Sequence, residues 1–211
     1  MNVTIIGASA GVGLEAVIRA LDRNHKVTTL SRSEINLPSN SNLTIIKGSA
    51  TNKTDLKKSI ENAAAVIVAL GTGKSMKATT LYADFARLLI EVQKETNTQI
   101  PFIILTGFGA GESAKFHNSF FMRIFFKLLL SRVYSNKTLM EELIVASEIK
   151  WIIVRPGVLK DKPLTEEYRV ETKLFEGINI GGINRADVAD YMVKQAENPT
   201  ELYNYVSLSN I

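Results

Sequence analysis

Three glycines near the N-terminus limit what this chain can fold into. Residues Val3–Ile6 are a β-branched apolar run, Gly7-Ala8-Ser9-Ala10-Gly11-Val12-Gly13 follows, and a helical pattern runs from Val12 to Arg23. The spacing is G-x-x-x-G-x-G between a strand and a helix. Gly7 suits the tight turn off the strand. Gly11 lets backbone approach a phosphate with no Cβ in the way, and Gly13 lets the helix pack close to the strand. The helix N-terminus adds unpaired N–H groups and the positive end of its dipole. Ala8, Ser9 and Ala10 are small enough to leave the loop open, and Ser9 brings a hydroxyl. The first 35 or so residues therefore predict a β-α-β unit that cradles a dinucleotide pyrophosphate, here a nicotinamide cofactor.

The remaining chain repeats the alternation. Strands are predicted at Val3–Ile6, Lys26–Leu30, Leu43–Lys47, Val66–Leu70, Phe102–Thr106, Trp151–Arg155 and Tyr203–Leu208. Helices are predicted at Val12–Arg23, Thr54–Asn62, Thr79–Glu95, from near Val133 to near Ser147, and at Arg185–Glu197. Most strands are apolar on both faces, as in a parallel sheet covered by helices on either side. The expected fold is α/β: a doubly wound parallel sheet of about seven strands flanked by helices, one Rossmann domain over residues 1–211. A length of 211 residues suits one domain and no internal repeat or linker interrupts it.

Composition narrows the function classes. The chain has no cysteine, which excludes disulfides and thiolate metal sites and suits a reducing cytoplasm. No signal peptide is expected, because the N-terminus runs straight into a strand pattern. The net charge of +4 comes from dispersed basic residues, so no nucleic-acid partner is expected. Ser119–Ser131 is nearly all apolar, with Arg123 and Lys127 on one face. It is too short and too charged to span a bilayer, and reads as a buried helix, an oligomer interface or a wall of a substrate pocket. His25 and His117 lack metal-ligand spacing and read as surface residues; no metal site is expected.

The second strand ends at Leu30 and runs into Ser31-Arg32-Ser33, with no acid until Glu34. An NAD-preferring site places a carboxylate here for the ribose hydroxyls. A guanidinium between two hydroxyls instead suits a 2′-phosphate, which it can grip in bidentate fashion. NADP(H) is the expected cofactor, and Glu34 leaves NAD(H) open.

With these segments in place, the chain resembles the atypical and extended short-chain dehydrogenase/reductases. It looks closest to their small NAD(P)H-binding branch of NmrA-like and biliverdin/flavin reductase-like proteins. The resemblance rests on the Gly7–Gly13 loop, Ala69-Leu70-Gly71-Thr72-Gly73, Leu105-Thr106-Gly107-Phe108-Gly109-Ala110-Gly111, Asn136-Lys137, Trp151–Gly157 and Ile183–Ala189, which span nearly the whole chain in the expected order. It implies that Leu70, Gly71, Thr72 and Gly73 border the riboses. It implies that Gly48, Ser49 and Ala50 lie near the adenine, with Ser49 where the family usually has aspartate. Thr106, Gly107 and Lys137 would approach the nicotinamide ribose, and Pro156, Gly157 and Val158 would flank the nicotinamide.

The main branch of that superfamily works with Tyr-x-x-x-Lys and a nearby serine. Here Tyr134 and Lys137 stand at i, i+3 and Thr106 offers the hydroxyl. Tyr134 is the candidate proton donor and Lys137 the ribose ligand; the alternative for Lys137 is an i, i+4 pair with Glu141. Glu141-Glu142 reads as a solvated helix face. Asn184 reads as the N-cap of the last helix with Asp187 in its first turn, and Arg185 as a support for the Gly181-Gly182 loop.

Residues 157–183 form a short substrate cap. With the Gly107–Ser113 loop and the Phe120–Leu130 stretch it predicts an apolar pocket for a small hydrophobic or planar substrate, in a monomer or homodimer. The expected function is an NADP(H)-dependent oxidoreductase that reduces a small carbonyl, quinone or flavin-like acceptor. The alternative is a non-catalytic NADP(H)-binding redox sensor of the NmrA-like kind. An epimerase or dehydratase ranks last, for want of a regular Tyr-Lys pair and a larger cap.

Overall fold

In a computed structural model of the chain, residues 1–73, 78–116 and 131–211 are described. The strands are β1 (Asn2–Ile6), β2 (Lys26–Ser31), β3 (Leu43–Lys47), β4 (Ala65–Val68), β5 (Pro101–Leu105), β6 (Lys150–Pro156), β7 (Val158–Lys160), β8 (Tyr168–Glu171), β9 (Gly182–Asn184) and β10 (Tyr205–Asn210). The helices are α1 (Gly11–Asp22), α2 (Lys53–Ile60), α3 (Leu81–Thr96), α4 (Ser131–Val145) and α5 (Arg185–Glu197), and a 3-10 turn spans Gly111–Phe116.

The main sheet has the order β3-β2-β1-β4-β5-β6-β10-β8, and β7 pairs with β9 separately. All neighbours are parallel except β8, which runs antiparallel to β10. The chain builds outward from β1 to β3, then crosses back to add β4 on the other side of β1. The crossing opens a crevice above the carboxyl ends of β1 and β4, where ligands bind in sheets of this kind. The expected sheet of about seven strands gains its eighth, β8, from the cap. Its period-2 signal is short and polar, which hid it in the sequence.

Alternation along the strands sorts the core into two layers. Val3, Ile5, Ile67, Ile103, Ile152 and Val154 face α1 and α5. Ile6, Val66, Val68, Phe102, Ile104 and Ile153 face α2, α3 and α4. Each fully buried large apolar side chain contributes roughly 1.5–3 kcal/mol, so the two layers hold the strand ends, and hence the crevice, in fixed register.

The cap is tied down by two buried carboxylates of α5. Asp187 accepts from the backbone N–H groups of Thr165 (2.7 Å) and Glu166 (2.9 Å), from the Thr165 hydroxyl and from Asn184 Nδ2. Asp190 accepts from Arg19 and from the Tyr168 hydroxyl. Asn184 does occupy the N-cap position, but its side chain makes no capping bond; it donates to Asp187 and to the Pro163 carbonyl instead. The need to anchor the cap has overridden local capping.

His25 also departs from expectation. It is 8% exposed, and its Nε2 lies 2.6 Å from Glu197, which also pairs with Arg23. His117 and the Ser119–Leu130 stretch lie outside the described residues. Among the described residues no helix is long and apolar enough to cross a membrane, and no cluster of potential metal ligands forms.

Candidate active site

The glycine loop leaves β1 at the mouth of the crevice. Gly7 has φ +85°, and a Cβ there would stand 2.4 Å from the Ala69 carbonyl oxygen, where β4 exits beside β1. At Gly13 a Cβ would stand 2.1 Å from the Gly7 carbonyl oxygen, so α1 packs against its own turn. Both contacts exclude any side chain. Above them α1 begins without a capping bond from Ala10 and with no acid in its first turn. Its first N–H groups are left to find an anion.

Four further observations fit a dinucleotide. The Ser31 hydroxyl donates 2.7 Å to the Ser33 carbonyl and closes a small turn. Arg32, between them, is exposed and has no hydrogen bond or ion pair with the described residues. Glu34 lies beside it but faces Lys47 at 3.8 Å. At the end of β3, Asp55 accepts from the Ser49 N–H (2.8 Å) and fills the space above Gly48, which shapes the Gly48-Ser49-Ala50 turn. The residues present therefore suit a dinucleotide along the carboxyl ends of β1, β2 and β3.

On the other side of the switch point, the exits of β4, β5 and β6 meet α4. Lys137 Nζ donates to the Thr106 carbonyl at 2.6 Å and lies 5.1 Å from the Tyr134 ring centre and 5.4 Å from that of Tyr82. The Tyr134 hydroxyl packs on Gly107, where a Cβ would come within 2.8 Å of it. Tyr82, on α3, shares a hydrogen bond with Thr72 in the β4 exit loop. Asn136 receives the Tyr82 and Ala83 N–H groups at 3.0 and 3.3 Å, so it caps α3 and docks α4 on it. The sequence places Tyr134 and Lys137 at i, i+3, and the structure brings them onto one face.

Burial sets the charge states. It pulls Lys137 down to about 8, against the Glu141 carboxylate, which favours the ammonium. It pushes Tyr134 up to about 12, helped by the negative charges that Tyr82 and Glu141 can carry. Tyr134 is thus a held phenol at neutral pH, able to donate a proton and unable to take one up.

Two expectations are corrected here. The Thr106 hydroxyl does not face the crevice; it donates 2.7 Å to Glu141, and it is the Thr106 carbonyl that meets Lys137. Glu141 is not on a solvated helix face and does not pair with Lys137. It is 2% exposed and receives Arg155 Nε at 3.1 Å and Nη2 at 2.7 Å. Arg155 itself is fully buried on β6, stacks 3.8 Å over Tyr205, and grips Glu112 with its other nitrogen edge at 2.6 and 3.2 Å. Burial works against both charges of the Arg155–Glu112 pair, but mutual hydrogen bonding holds Arg155 above its usual range and Glu112 below its own. This network pins the 3-10 turn behind the Gly107 loop. A charged residue inside the apolar run Trp151-Ile152-Ile153-Val154-Arg155 was the one sequence signal for it.

Pro156 is buried, Gly157 is overlaid by the Gly181 carbonyl, and Val158 is exposed next to β9. Phe175 on the cap is likewise exposed. A cavity of about 340 Å³ lies elsewhere, between α1, the start of α5 and residues Asp161–Leu164.

The sequence profile of the NAD(P)H-binding family matches residues 7–199, and the chain belongs to that family. Solved structures agree on the fold. An anaerobilin reductase from Escherichia coli O157:H7 superposes with a TM-score of 0.78 at 21% identity, covering 100% of this chain and 97% of that one. A proposed NADH-flavin reductase from Streptococcus pneumoniae TIGR4 gives 0.79 at 23% identity, with 100% of both chains covered. A short-chain dehydrogenase/reductase from Veillonella parvula DSM 2008, in complex with NADP, gives 0.81 at 17% identity over 99% and 94%. The chain is thus an NAD(P)H-binding protein with a Rossmann sheet, and reductases are among its structural neighbours.

Proposed function

We propose that this protein is an NADP(H)-dependent reductase that passes a hydride to a small planar acceptor of the flavin or bilin class. One observation carries the reading: Lys137, the Thr106 carbonyl and the Tyr134 hydroxyl converge on the exit of β5, across the switch point from the glycine loop. Bound there, reduced nicotinamide would supply the hydride. The chain's own residues do the rest. The glycine loop and α1 hold the pyrophosphate, Arg32 takes the 2′-phosphate, and Lys137 holds a ribose hydroxyl while anchored on Thr106. Tyr134 keeps its proton at neutral pH and gives it to the reduced acceptor, the direction a reductase needs. Val158 and Phe175 offer apolar surface to a flat ring.

Neighbours described as anaerobilin and NADH-flavin reductases support this acceptor class. A second reading, a cofactor-binding redox sensor without turnover, is favoured by the strength with which Tyr134 holds its proton. Steady-state NADPH oxidation with a panel of flavins, bilins, quinones and aldehydes separates the two. Turnover with a planar acceptor is expected; tight NADPH binding with no turnover on any of them sinks the reductase reading.

A further inference from the structure

Arg185 is the first residue of α5. Its side chain lies across Gly11: a methyl group on Gly11 would stand 3.6 Å from Arg185 Nε and 3.7 Å from its Cδ. Gly11 is itself the first residue of α1, which has no side-chain cap and no acid in its own first turn. A full positive charge thus sits beside orphan backbone donors. The loop's own sequence gives no reason for either.

The partners of Arg185 sharpen the point. Nη1 donates to Asp161 Oδ1 at 2.7 Å, and the Asp161 side chain is 87% exposed. Exposed pairs of this kind are weak and screened by salt. Nε and Nη2 donate to none of the described residues. Arg19, two turns along α1, shows the contrast. It is held on Asp190 and Glu166 and has a structural task in fastening the cap. Arg185 keeps part of its guanidinium fork in reserve, and that fork fits two phosphate oxygens at once.

We infer that Arg185 is a pyrophosphate ligand of the dinucleotide, held ready across the glycine loop by Asp161. The inference rests on the NADP(H) reading above and adds a residue outside the glycine loop to its anion site. It also links cofactor to cap. Asp161 and Arg185 line the cavity between α1 and residues Asp161–Leu164, so moving the guanidinium onto phosphate loosens that end of the cap.

The test compares dissociation constants for NADPH and for adenosine 2′-monophosphate, which lacks the pyrophosphate, by fluorescence titration and ligand-induced thermal shift. Arg185→Gln should weaken NADPH about tenfold or more and leave adenosine 2′-monophosphate unchanged. Asp161→Asn, which frees the guanidinium, should bind NADPH at least as tightly as wild type. Less than a threefold loss in Arg185→Gln overturns the inference. So does an equal loss for the adenosine fragment, or a loss in Asp161→Asn that matches Arg185→Gln, because each marks a merely structural role. Should Arg185→Gln fail to fold, Arg185→Lys keeps the charge without the fork; a loss confined to NADPH supports the inference and no loss overturns it. Failure of the wild type to bind NADPH would instead overturn the proposed function.

Discussion

The two sides of the crevice are built on different principles. On the β1–β3 side, the site is backbone: a glycine turn, a helix end without a cap and a serine-flanked arginine in solvent. On the β4–β6 side, it is side chains held by other side chains. Lys137 stands on a carbonyl and Tyr134 on a glycine, and beside them buried Arg155 joins buried Glu141 to exposed Glu112. The first side fails by steric clash, the second by loss of a partner. That difference ranks the expected effects of mutation.

The largest belongs to the glycine turn. Gly13→Ala puts a Cβ 2.1 Å from the Gly7 carbonyl oxygen, and backbone must move. NADPH affinity should fall by about 100-fold or more, with a lower melting temperature; binding within threefold of wild type would break the backbone account. Next comes the buried network. Arg155→Met leaves Glu141 charged, buried and without its cation, at a cost of about 3–5 kcal/mol in chemical denaturation. Adding Glu141→Leu should recover much of that loss. If the double variant is as unstable as the single one, the ion pair is not what holds β6 to α4.

The chemistry should follow at a smaller scale. Tyr134→Phe should lower kcat about 100-fold with NADPH affinity unchanged. An unchanged kcat would assign the proton to solvent. Arg32→Ala should weaken NADPH about tenfold and NADH hardly at all. Equal losses would refute the 2′-phosphate assignment.

The smallest effect is a pH trend. Lys137 titrates at about 8 in the folded, cofactor-free protein against 10.5 in the unfolded chain. Between these values the unfolded chain binds more protons, so this group makes the fold more stable as pH rises from about 8 toward 10.5. Tyr134, raised from 10.0 to about 12, does the opposite above pH 10. Lys137→Met should remove the rise in stability just above pH 8 that denaturation of the wild type would show. An unaltered slope would mean that Lys137 is not desolvated.

The same division explains what the sequence made legible. A glycine pressed against a carbonyl, as Gly7 and Gly13 are, or held at positive φ, as Gly11 is, is written as glycine, so all three could be read at once. The alternating strands and helices could be read for the same reason, since burial on both faces leaves few sequences to choose from. The cap strand β8 could not, because its residues Tyr168–Glu171 have no apolar rhythm of their own and gain order only against β10. Nor could the partners of Glu141. Spacing offered Lys137 one turn away, whereas the carboxylate turns inward to Arg155, 14 residues along. Pairings that cross between elements leave no periodicity, and Thr106 was misread for the same cause: its neighbour in space is on α4.

On the proposed function, the two sides of the crevice act on one cofactor and one acceptor. NADPH carrying deuterium at the transferring position of the nicotinamide, mixed with protein and a flavin or bilin acceptor, tests it most directly. An isotope-dependent single-turnover rate, deuterium delivered from the cofactor, and slowing by Tyr134→Phe are expected. NADPH that binds tightly and remains unoxidised in the presence of every planar acceptor would contradict it.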